Sequence, residues 1–130
     1  MFEPACLHAG RAVRALEMAD QALTIVTQTG AYISAPELYR FKGRALLIRN
    51  PSATTEAEIC FRKAIEIARG QSAKWWELRA TVILARLLRD TGRRDEARAT
   101  LADIYNWFTE GFDTADLKDA KGLLDELSTQ

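Results

Sequence analysis

Apolar residues recur at three- and four-residue spacing along most of the chain, which is the period of an α-helix buried on one side. From Arg11 to about Gln28 the positions are Ala12, Ala15, Leu16, Ala19, Ala22, Leu23 and Val26. Gly10 separates this helix from Pro4 to Ala9, which reads as the stub of an earlier helix. Thr29-Gly30 ends it. Ser34 and Glu37 form a capping box, with Pro36 tolerated in the first turn of a helix that runs to about Arg49. Leu38, Phe41, Ala45 and Ile48 make its apolar side, and Asn50-Pro51 stops it. Thr55 and Glu58 repeat the capping-box spacing and start a helix that ends near Gly70. Ser72 caps a helix to about Thr91, where Gly92 stops it. Another spans Arg93 to about Phe108 and closes at Gly111. Asp113 or Thr114 caps the last helix, with Leu117, Ala120, Leu123, Leu124 and Leu127 on one face. No strand pattern and no linker interrupts the series, so about seven helices are expected, counting the stub.

The series repeats. Ala15-x3-Ala19-x2-Ala22, Ala57-x3-Phe61-x2-Ala64 and Ala97-x3-Leu101-x2-Ile104 share one spacing, and each sits on the second helix of a pair. Tyr39-x3-Gly43-x2-Leu46 and Thr81-x3-Ala85-x2-Leu88 form a matching signature on two first helices. Small residues at Gly43 and Ala85 allow close helix approach, and Phe61 and Leu101 fill the space beside them. Helix pairs that each bury a face on the next unit are the signature of a repeat array.

These residues resemble the tetratricopeptide repeat (TPR) motif. Departures are specific: Lys42 stands where Leu is usual, Leu46 and Leu88 occupy Tyr sites, and the closing Pro is missing. The period exceeds the usual length of about 34 residues, because Tyr32 to Leu38 and Lys74 to Ala80 extend the first helices. The resemblance implies an all-α, right-handed stack of antiparallel helix pairs, a TPR-like α-solenoid with a C-terminal capping helix. The whole chain, 1–130, is then one domain, with a partial first repeat at 1–30, repeats at 31–70 and 71–110, and the cap at 111–130.

A narrower resemblance rests on Glu37 to Leu47, Ala57 to Ala68, Leu78-Arg79-Ala80, Leu84 to Asp90 and above all Ile104 to Lys121. These stretches look like the end of the helical array in large bacterial regulators. In those proteins a class III adenylate/guanylate cyclase domain, or a DNA-binding domain, precedes an AAA/STAND-type ATPase. The resemblance implies a cytoplasmic, non-catalytic interaction or regulatory segment, with any cyclase chemistry elsewhere in the longer protein. Met1-Phe2-Glu3 would then mark a cut in a longer chain or a short gene start.

Composition agrees with an ordinary helical domain. The chain has 130 residues, 48% apolar and 28% charged, with three prolines, enough for one domain with a core. No apolar run is long enough to span a bilayer, and the N-terminus lacks the pattern of a signal peptide. Cys6 and Cys60 lie far apart without metal-ligand spacing and read as small core residues of a reduced protein.

Net charge is zero but segregated. Glu37 to Arg98 carries fourteen Lys/Arg against eight Asp/Glu, and Ala99 to Gln130 carries two against seven. The neutral total makes a poor footprint for nucleic acid, although Arg93, Arg94 and Arg98 lie together.

No catalytic constellation is present. His8 is the lone histidine and reads as a surface or packing residue, and no phosphate-binding glycine loop or nucleophile elbow occurs. No cofactor or metal is expected. In a TPR array the first helix of each pair lines a concave groove. That alignment points Glu37, Arg40, Arg44, Leu47 and Ile48, then Arg79, Val82, Arg86, Arg89 and Asp90, into it. Arginine forks suit carboxylates, so Arg40, Arg44, Arg79, Arg86 and Arg89 form a candidate site for an acidic peptide or partner domain. The alternative is a purely structural segment that caps the array or self-associates and binds no foreign ligand. An open arginine groove favours the first, and a groove filled by the chain's own acidic end favours the second. Of Trp75-Trp76, one reads as packing into the helical extension, whereas an exposed one could anchor a partner, and the cluster Tyr105, Trp107, Phe108 and Phe112 reads as packing of the last helix onto the array as a cap. A bare first repeat also predicts a homodimer, with Phe2 and Leu7 joining the apolar patch of the 11–28 helix.

Overall fold

The computed structural model describes residues 5–29 and 35–128, with side chains from Val13 onward apart from Thr27 and Thr29. Within these residues the fold is all-α. Six helices follow one another: α1 (Ala5–Thr29), α2 (Ala35–Arg49), α3 (Thr54–Gly70), α4 (Lys74–Asp90), α5 (Arg94–Tyr105) and α6 (Ala115–Ser128). The count is one fewer than the spacing predicts, because Gly10 does not break the chain. Ala5–Ala9 of the stub and the Arg11–Gln28 helix merge into α1, and Pro4 lies outside the described residues. A single glycine costs a helix only about 1 kcal/mol, which the turns on either side absorb. Ser34, Tyr32, Cys6, His8, Phe2 and Leu7 lie outside the described side chains.

Each helix packs against the next, and α4 also touches α2 and α6. One core joins α3 to α6, built on Phe61, Leu78, Leu84, Leu88, Leu101, Leu117 and Leu127. A smaller cluster of Leu16, Ala45, Leu46 and Cys60 ties α1 to α2 and α3. Burial pushes the Cys60 thiol above its ordinary pKa, with Lys42 acting against it.

The helix starts are set by backbone geometry. Helices α3, α4 and α5 begin at Thr54, Lys74 and Arg94, behind Ala53, Ala73 and Arg93, and none of these three cap positions makes a side-chain cap bond. The Thr55 capping box therefore does not form, and Ser72 does not cap α4. Ser72 instead terminates α3. Its N–H bonds the carbonyl of Arg69 at 3.0 Å, and Ala73 N–H bonds that of Ala68 at 2.8 Å. The end of α4 repeats the pattern, with Gly92 N–H to Arg89 and Arg93 N–H to Leu88. Both are Schellman motifs, which need a left-handed residue. Gly92 (φ 86°) supplies it after α4, whereas Ser72 (φ 56°) supplies it after α3.

The apolar side of α2 also differs from the expectation. Phe41 and Ile48 are exposed, while Ala35, Pro36, Gly43, Ala45 and Leu46 are buried. The position of Phe61 decides this, because only Gly43 lets α3 come close enough for the ring to fit.

Candidate functional site

Three helices converge on one open cavity of about 480 Å³. Helix α2 contributes Arg40 and Arg44. Helix α4 contributes Arg79 and Arg86 with an apolar strip of Leu78, Val82 and Ile83, and α6 contributes Asp116 and Asp119. The arginines reach one wall because residues 40 and 44, and 79 and 86, recur at four- and seven-residue spacing on single helix faces.

Four of the five arginines read from the sequence line this cavity. Arg89 does not. It lies beyond the end, where its guanidinium meets both carboxylate oxygens of Glu126 at 2.9 and 3.1 Å and Asp90 at 3.0 Å. The hydrogen bond to Asp90 is the main reason its pKa is raised. Of the other groove-facing residues, Val82 lines the cavity and Leu47, Ile48 and Asp90 do not.

Helix α6 supplies most of the internal counter-charge. Arg79 Nε donates to Asp116 at 3.0 Å, and Arg86 Nη2 donates to Asp119 at 3.2 Å. Arg40 Nε donates to Glu37 at 3.1 Å, and Glu37 also sits 3.8 Å from Arg79. Arg44 is exposed and forms no ion pair among the described residues. The cavity thus holds four guanidiniums against two aspartates, with Glu37 behind its wall. Asp116 and Asp119 are the site residues that no residue-by-residue reading of the sequence named. Their excess of acid was visible, but their pairing depends on how α6 lies alongside α4.

A second cavity, about 780 Å³ and largely apolar, forms where α3 meets α4 and the segment after α5. Its wall includes Trp75, Trp76 and Trp107, which are all the tryptophans of the chain. Trp75 and Trp107 pack on the buried Phe108, with ring centroids 4.7 and 5.1 Å away. Trp75, Trp107 and Phe112 remain partly exposed beside these contacts, while Trp76 is half-buried. Lys74 Nζ sits 5.3 Å from the centroid of the Trp107 ring.

Among the described residues no group of three or more His, Cys, Asp or Glu is placed to hold a metal ion. No described helix is long and apolar enough to cross a membrane. Compared with protein-family models, curated proteins and solved structures, the sequence matches none.

Proposed function

We propose that this chain is a non-catalytic interaction module whose α2–α4 groove holds an acidic peptide or an acidic face of a partner domain. The observation that carries this reading is the convergence of Arg40, Arg44, Arg79 and Arg86 on one cavity with an apolar strip. Guanidiniums beside aliphatic side chains suit a segment that alternates acidic and apolar residues. Arg44 supplies a cation that forms no ion pair among the described residues. The TPR-like pattern of Tyr39/Gly43 and Ala57/Phe61/Ala64 supports a right-handed stack of antiparallel helix pairs, in which α2 and α4 are inner helices and α6 is the cap. The Ile104 to Lys121 stretch supports a place at the end of a cytoplasmic bacterial signalling protein of the cyclase–ATPase type.

A dye-labelled peptide of alternating Leu and Glu tests the groove by fluorescence anisotropy. Binding is expected to be weak and to fade with salt, because surface charges are screened over about 8 Å at physiological ionic strength. Arg44→Ala with Arg86→Ala is expected to abolish it. Binding that is indifferent to both substitutions would remove the groove from the function.

A second reading, a cap without foreign ligand, has its own support in the Arg79–Asp116, Arg86–Asp119 and Arg89–Glu126 pairs. These pairs place the acidic end of the chain against the arginines of α4. Under this reading the labelled peptide does not bind even at low salt.

A further inference from the structure

The longest helix carries an apolar stripe that the fold leaves exposed. Helix α1 has 25 residues against 15 in α2, so it is about 37 Å long against about 22 Å. One side of α1, with Leu16, Ala19 and Val26, is buried. About a quarter-turn away runs a second stripe of Ala15, Met18, Ala22 and Ile25. Met18 is 68% exposed and Ile25 58%.

The internal repeat shows what such a stripe is built for. Its counterparts in α3 are Ala57, Cys60, Ala64 and Ile67, of which the first three are buried and the last half-buried. In the next unit the counterparts Ala97 and Ile104 are buried, Thr100 is half-buried, and Trp107, past the end of α5, is exposed. The positions that are buried in α3 at Ala57, Cys60 and Ala64 are thus more exposed on α1.

The stripe also specifies its occupant. Read along α1, its residues alternate small, large, small, large. Reversed, the order is large, small, large, small. We propose that a second copy of this chain covers the stripe, α1 against α1 in antiparallel orientation about a two-fold axis. In that register Ile25 faces Ala15 of the second copy and Met18 faces Ala22, so each large side chain meets a small one. A parallel pair would set each residue against itself. Asp20, level with the axis, lies on the opposite side of the helix and is held by Lys42 of α2 at 2.8 Å. Arg14 and Glu17 lie off the centre and do not meet their own copies. The interface is isologous and closes at two chains, and it is independent of the arginine groove.

Sedimentation velocity and light scattering at micromolar concentration test it on the full chain. The expected mass is that of a dimer, unchanged in about 1 M salt, because the contact is apolar. Met18→Glu with Ile25→Glu is expected to give a monomer with an unaltered helical circular-dichroism spectrum, since both side chains are exposed. Ala22→Met alone sets two methionines against each other and should raise the dimer Kd at least about tenfold, or roughly 1.4 kcal/mol. Adding Met18→Ala again sets each large side chain against a small one and should recover the dimer. A wild-type monomer, a larger assembly, or a dimer indifferent to the glutamates would overturn the proposal. Failure of Met18→Ala to rescue would overturn the antiparallel register.

Discussion

The ring of Phe61 occupies the space where any side chain at position 43 would begin. A Cβ added to Gly43 would lie 2.5 Å from Phe61 Cε1 and 2.9 Å from Cδ1. Gly43 is therefore required by packing between α2 and α3 and not by its backbone freedom. Replacing it with Ala should raise helix propensity by about 1 kcal/mol, yet the overlap wins. Gly43→Ala is expected to lose about 1–3 kcal/mol net in urea denaturation, and Gly43→Leu more. Phe61→Leu in the Gly43→Ala background should recover part of the loss, since the two residues touch and their effects are not additive. An unchanged urea midpoint for Gly43→Ala would show that α2 and α3 do not approach this closely.

Ser72 and Gly92 perform the same turn with unequal strain. Both are left-handed residues between the last carbonyls of one helix and the first turn of the next. Ser72→Gly is expected to stabilise the fold by up to about 1 kcal/mol, and Gly92→Ala to destabilise it by about as much. Thermal melts of the two single variants read both signs.

A ring of four charges links α3 to α5. Arg62 reaches Glu58 at 2.8 Å and Glu96 at 2.7 Å, and Arg93 reaches the same two carboxylates at 2.8 and 2.7 Å. Burial pushes the Glu58 carboxyl upward, but hydrogen bonds from Arg62 and Arg93 outweigh it and hold the pKa below its ordinary value. Hydrogen bonds from Arg93 and then Arg62 lower that of Glu96. A carboxyl whose pKa is lower folded than unfolded stabilises the fold above the unfolded value, about 4.3. That contribution is lost as pH falls through the lower, folded value. The melting temperature should drop on acidification below about pH 5, and less steeply for Glu58→Gln with Glu96→Gln. Parallel pH profiles for the two proteins would show that the ring does not act on stability.

Glu77 is the most buried charge described, 3% exposed. Arg69 of α3 reaches it at 2.8 Å and Lys74 at 3.5 Å. Arg69→Ala leaves the carboxylate with the weaker partner and should cost about 1–3 kcal/mol. Arg69→Ala with Glu77→Gln should cost less than the sum of the single changes. Additive losses in urea would place the two side chains in independent environments.

Asp119 competes with any acidic ligand for Arg86. Its side chain is mostly exposed, so the pair adds little to stability, about 0–1 kcal/mol. Asp116→Asn with Asp119→Asn should therefore strengthen binding of the Leu/Glu peptide while the melting temperature barely moves. Loss of fold with no gain in peptide binding would favour the capping role of α6.

Helical period, helix ends at Asn50, Gly70 and Gly92, and the recurrent Ala57/Phe61/Ala64 spacing are all local properties, and the sequence determined them by itself. They follow from side-chain size and turn chemistry within a few residues. Four cavity arginines were legible for the same reason, since residues on one helix face keep a known spacing. The tertiary structure alone decided the rest. Phe41 reads as core by period, yet it is exposed because Phe61 must reach Gly43. Arg79, Arg86 and Arg89 read alike in sequence, yet two line the cavity and the third lies past its end, because α6 runs beside α4 in one register. That register is set by packing of Leu117, Ala120 and Leu127 in the common core, a sum over many weak contacts between distant segments that no local pattern encodes.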